Sequence, residues 1–227
     1  MAIDNWTAVR GATEAGSPTP KPRFRGRIHQ AAFFISVPLG GLLVVAAHGS
    51  AQRVAAAVYA FSLAAMFGTS ALYHRGRWRK AWRSRMQRLD HAMIFVHIAG
   101  SYAPVVLIAL RDAWVPAFLI LACGVAVLGI SLSLVQYEFV ERHERAFYIG
   151  FGWLIVVALP WIYAALPAAK VLLLIAGGVT YTVGAIMFVA ERPDPRPLTF
   201  GYHEVWHAMT VLAAGFHCAL VFELAHS

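Results

Sequence analysis

Seven apolar runs, each near the length of a helix that crosses a bilayer, occupy most of this chain. They fall at about 28–48, 51–74, 90–110, 113–135, 146–164, 168–190 and 203–225. Roughly 20 apolar residues in a helix span the hydrocarbon core. The bilayer has no water to satisfy a bare backbone, so such runs must fold as helices or close into a barrel, and their length selects helix. The expected fold is therefore all-α, a polytopic bundle of seven transmembrane helices over 28–225. Composition excludes a water-soluble globule: 59% of residues are hydrophobic and 13% charged, where a soluble surface calls for about 25% charge. Residues 1–27 include "GATEAGSPTPKPRFRGR" and are expected to be a flexible basic tail. The first run lies too late and is too long for a secretory signal, so it is expected to be retained. Pro38, Pro104 and Pro160 lie inside runs, where neighbouring helices can satisfy the carbonyls they free.

A formal charge of +8 is also a feature of nucleic-acid binders, but the cations are placed as membrane topology places them. Arg10, Lys21, Arg23, Arg25 and Arg27 precede the first run. Arg75, Arg77, Arg79, Lys80, Arg83, Arg85 and Arg88 follow the second, and Arg142, Arg145, Arg192 and Arg196 fall in later loops on the same side. Only Arg53, Arg111 and Lys170 lie opposite. The positive-inside rule then puts the N-terminus in the cytoplasm and the C-terminus outside, in a bacterial-type plasma membrane, with membrane lipids as partners and no nucleic acid. In the loop 75–89, Trp78, Trp82, Met86 and Leu89 recur at helical spacing among cations. That pattern suits an amphipathic helix lying on the inner leaflet, or else a helix that binds a partner. Cys123 and Cys218 stand in apolar surroundings and read as small packed side chains.

Ionisable groups inside spans are costly and are functional candidates by default. Ser70 and His74 close the second run one helical turn apart, Asp90 opens the third, and His203 and His207 open the seventh, again four apart. Three helices so bring three histidines, a carboxylate and a hydroxyl to one depth. Two His at i and i+4 with a third from another helix can hold zinc and leave one tetrahedral position open, a catalytic arrangement; a purely structural zinc is the other reading. Asp90 is placed to accept a proton from water there, and Ser70 to orient the water or His74. "HEVWH" also matches the H-E-x-x-H protease motif, with Glu204 as base. The continuation that motif needs is absent, since Thr210 and Ala213 stand where Gly and His would. Glu204 also points about 100° from His203, and is expected to face the loop or headgroups. His97 and Ser101 share a face with Asp90, as a polar relay or as interhelical hydrogen-bond partners. His217 lies about 15 Å along the helix from His207 and cannot join the same ion. His48, His143 and His226 are expected at loops or interfaces.

The segments "SALYH", "RLDHAMIFVHIAGSYAP", "HEVWH" and "GFHC" resemble the bacterial hemolysin III proteins over about residues 24–225. These belong to the progestin and adipoQ receptor family and are similar at longer range to alkaline ceramidases. The resemblance implies seven transmembrane helices and Zn2+ near the cytosolic face held by His74, His203 and His207, with Asp90 and Ser70 beside it. Many relatives carry an acidic, Asn-containing motif ending in His before the first span. Here "PKPRFRGRIHQ" stands instead, and only His29 matches its last position. The implied activity is zinc-dependent hydrolysis of a lipid amide or ester near the inner leaflet. The alternative is a non-enzymatic protein, membrane-lytic, pore-forming or a receptor-like regulator, with a structural zinc.

Overall fold

Once buried from water, each apolar run satisfies its backbone within itself, and the result is seven helices long and apolar enough to cross a membrane. They are α1 (Arg27–Ala46), α2 (Ser50–Arg75), α3 (Lys80–Ala109), α4 (Val115–Leu134), α5 (Ala146–Ala165), α6 (Ala168–Ala190) and α7 (Tyr202–Ala225). The structure is a computed structural model that describes residues 22–110, 115–134 and 146–226. The expectations for Arg10, Lys21, Arg111, Arg142, His143 and Arg145 lie outside the described residues.

The prolines act locally. Pro104 ends the regular part of α3, and a π-helical turn follows over Val105–Ala109. A 3-10 stretch, Trp153–Ala158, comes just before Pro160 in α5. At Pro160 the missing N–H and the ring clash fall on the Val156 carbonyl, inside the 3-10 stretch, and break the regular hydrogen-bond ladder there. The basic stretch after α2 is not a separate helix lying flat. Lys80 starts α3, which runs unbroken past Asp90 into the apolar span. Trp78 lies ahead of that helix and donates to the Leu72 carbonyl at 3.1 Å, helping to close the end of α2.

Neighbours in sequence pack side by side: α1 on α2, α2 on α3, α3 on α4, and α6 on α7, while α7 also returns to contact α1. One core joins Phe95, Val106, Phe118, Phe151, Leu220 and Leu224; a second joins Leu43, Tyr59, Leu63, Phe67, Ala214 and Val221. Large apolar side chains such as Phe34, Phe61 and Ile120 face outward and are largely exposed, as lipid-facing positions require. The outer surface offers no hydrophobic contrast with lipid, so close packing and interhelical hydrogen bonds must select the helix pairs. His97 links three helices: Nδ1 lies 3.2 Å from Ser62 Oγ and Nε2 lies 3.3 Å from Tyr181 OH. His217 Nε2 meets the Leu174 carbonyl at 3.3 Å. Two glycines make room for these contacts. A Cβ at Gly100 would stand 2.2 Å from Ser62 Oγ, and one at Gly177 would stand 2.2 Å from His217 Nε2. His97 is thus an interhelical pin, while Ser101 donates within its own helix to Ile98 O at 2.7 Å.

The two ends of the bundle differ. At one, the amides of Arg23 and Phe24 donate to the carbonyls of Leu198 and Thr199 at 3.0 and 3.1 Å, tying the segment before α1 to the loop before α7. At the other, the His48 amide donates to Ala225 O at 3.2 Å and Lys170 Nζ to Glu223 O at 2.8 Å. The first end carries most of the described cations and the candidate site.

Candidate metal centre

The C-terminus of α2, the N-terminus of α7 and the stretch of α3 around Asp90 meet at this basic end. The last turn of α2 supplies His74, with Ser70 buried one turn deeper on the same helix. The N-terminus of α7 supplies His203 and, one turn on, His207. That helix is fixed at its first turn because Glu204 Oε2 accepts from the Gly201 amide at 2.9 Å, a bond back from the third helical residue that caps the start. Asp90 enters from α3.

The ligand-type atoms of His74, His203 and His207 all lie within 4.8 Å of one another. Their ring centroids are 4.7, 5.0 and 4.7 Å apart. His74 Nε2 and His203 Nε2 stand 3.2 Å apart. Two imidazole nitrogens each about 2.0–2.1 Å from one tetrahedral ion would stand about 3.3–3.4 Å apart, so this spacing suits a shared zinc. His207 Nδ1 is buried without a hydrogen-bond partner; an unmet buried polar atom costs about 1–3 kcal/mol. Asp90 Oδ2 lies 3.7 Å from His74 Nε2, and both side chains keep a little exposure, 14% and 9%. The carboxylate is therefore beside the histidines and within reach of water. Three convergent nitrogen donors with a tetrahedral edge between two of them fit a zinc ion.

The segment before α1 adds residues that sequence reasoning had left in a tail or in doubt. Gly26 adopts φ 76°, a backbone region that glycine enters without penalty. A Cβ there would lie 2.6 Å from His74 Cβ, so the chain can pass this close to the site only at glycine. Arg25 Nε donates to Glu204 Oε1 at 2.5 Å, and the Glu204 side chain is fully buried. Glu204 thus faces the loop side, as expected, but it is sealed within protein rather than set among headgroups. His29, in the first turn of α1, is buried with its ring stacked on His207, centroids 3.7 Å apart and planes 9° from parallel. The only advance signal for His29 was its place at the end of a motif whose acidic part is missing.

A family model described as "Haemolysin-III related" matches residues 18–218. The chain belongs to the haemolysin-III related family. Similar proteins include "Hemolysin-3" of Bacillus cereus, 34% identical over 204 residues, spanning 86% of this chain and 89% of that relative. "Hemolysin-3 homolog" of Bacillus subtilis (strain 168) is 28% identical over 202 residues, 86% and 90% of the two chains. With its seven apolar helices, this haemolysin-III family member is a multi-pass membrane protein. The matched region spans the stretch from Arg25 to Thr210 that forms the basic end.

Proposed function

We propose that the protein is a zinc-dependent hydrolase of lipid amide or ester bonds, acting at the inner leaflet of a bacterial-type plasma membrane. The observation that carries this reading is the convergence of His74, His203 and His207 within 4.8 Å beside the Asp90 carboxylate. His74, His203 and His207 would hold the ion through three uncharged donors, which leave a coordination position open. When bound, zinc supplies a Lewis acid for a carbonyl oxygen and makes water acidic near neutral pH.

The chain's own groups supply the rest. Asp90, next to His74 and partly open to water, would take the proton of the attacking water and return it to the leaving amine or alcohol. Ser70, buried one turn below His74, would steady that imidazole from behind. Glu204 is held by Arg25 and the Gly201 amide, which removes it as a general base and with it the protease reading. The cluster lies at the last turn of α2 and the first turns of α7, which a bundle spanning a bilayer would bring near the headgroup linkages. A lipid could bring its carbonyl to this point while its tail stays among outward-facing apolar residues such as Phe34 and Phe61.

The experiment is hydrolysis of a fluorescent N-acyl lipid and its ester analogue by purified protein in lipid nanodiscs. Chelation is expected to abolish cleavage and added Zn2+ to restore it; cleavage that survives complete metal removal would exclude the reading. The printed name of the relatives, "Hemolysin-3", favours a second, lytic reading. A pore through one bundle needs a polar path from end to end, whereas Val105, Val106, Leu220 and Leu224 are buried together further along. Liposome conductance insensitive to chelator would favour the lytic reading.

A further inference from the structure

We infer that His29 is a positioning residue of the histidine cluster, setting the ring plane of His207, and that the Arg25–Glu204 pair anchors the segment that holds it there. The consequence for turnover rests on the hydrolase reading above; the geometric role does not.

A histidine that binds metal is normally oriented by a hydrogen bond to its second ring nitrogen. His207 has no such bond at Nδ1, so its plane must be fixed by packing. The ring that lies on it is His29, nearly parallel at 3.7 Å. His29 is itself held at two further points. The Phe67 ring is tilted against it at 5.0 Å, and its Nε2 lies 2.8 Å from Thr210 Oγ1. Thr210 has one hydroxyl proton, which it donates to the His207 carbonyl at 2.8 Å. Its oxygen must therefore accept from His29, which fixes the Nε2–H tautomer of His29. The result is a closed figure: His29 stacks on the ring of His207 and hydrogen-bonds to a hydroxyl that is tied to the backbone of the same residue.

His29 stands apart from the ligand set: its Nε2 is engaged by Thr210, and although its Nδ1 is buried without a partner, the ligand-type atoms that converge within 4.8 Å are those of His74, His203 and His207. The segment that carries it is fixed on both flanks of the cluster. Arg25 grips Glu204, three residues before His207 on the buried face of α7, and Gly26 passes directly over His74. Movement of residues 22–29 would disturb both helices that supply the histidines.

The test loads full-length protein in detergent with Co2+ and compares wild type, His29→Ala and His29→Phe. His29→Ala is expected to weaken Co2+ binding by about 10–100-fold and to shift the visible bands of the bound ion. His29→Phe, which keeps a ring over His207, is expected to restore the band positions and most of the affinity. Wild-type affinity and spectrum in His29→Ala would overturn the inference. Equal affinity losses in both variants with unshifted bands would overturn it too, since they would report only a weakened fold. If the alanine variant fails to fold, His29→Gln supplies a ringless side chain that keeps a donor for Thr210, with the same expected band shift. A wild-type protein that takes up no Co2+ sinks the hydrolase reading, and the 15N-labelled metal-free protein then decides the positioning role. The His207 ring signals are expected to move in His29→Ala; coincident signals would refute it.

Discussion

Asp90→Asn is expected to lower hydrolysis of the N-acyl lipid by about 10²–10⁴-fold, the usual contribution of a positioned acid–base group, while metal per chain stays at the wild-type level. Asn keeps the size of the side chain and an acceptor oxygen but cannot take a proton. Because Asp90 lies 3.7 Å from the nearest His74 nitrogen, its loss removes no nitrogen donor from the three-histidine set. His74→Ala is expected to differ: it removes one of the three converging donors, so metal content and turnover should fall together. Initial rates and metal analysis on the same preparations separate the two. Asp90→Asn protein that turns over within a few-fold of wild type would remove Asp90 as the proton acceptor.

Arg25→Ala is expected to destabilise the protein by roughly 3–5 kcal/mol, because it strands a buried carboxylate without its partner. Glu204→Gln is expected to cost less, about 1.5–3 kcal/mol, the usual loss of a charged hydrogen bond. The amide oxygen can still accept from the Gly201 N–H, and Arg25, 23% exposed, can extend its charge toward water. Breaking one pair from its two sides should therefore give unequal losses, with the arginine side the larger. Denaturant unfolding in mixed micelles measures both. Equal losses, or a larger one for Glu204→Gln, would mean that Glu204 is not held as a buried charge by Arg25.

The spans were legible in the sequence because run length alone reports a bilayer crossing. Where the preceding residues are described, α1, α2, α6 and α7 begin within about one residue of the apolar run, inside the margin at which helix ends fray. Helix α3 begins ten residues early, at Lys80 rather than near Asp90. Lys80, Arg83, Arg85 and Arg88 end an apolar run but are good helix formers, so hydropathy stopped where the helix did not. His74, His203 and His207 could be read because they lie at span ends with a pair at i, i+4. His29 carries no such pattern. A single histidine at the start of a span looks interfacial until tertiary packing turns it inward. Glu204 was referred to His203, from which it points away; referred to His207, three residues on, it shares the buried face. The hydrogen bonds that dock Arg23 and Phe24 on Leu198 and Thr199 are backbone to backbone, and no side-chain pattern announces them.

All of the proposed chemistry depends on one cation seated among His74, His203 and His207. Its most direct measurement is zinc per chain by mass spectrometry after detergent purification, wild type beside His203→Ala/His207→Ala. One zinc per wild-type chain and almost none in the double variant is the expected result. Wild-type protein without stoichiometric metal, or a double variant that retains it, would contradict the account.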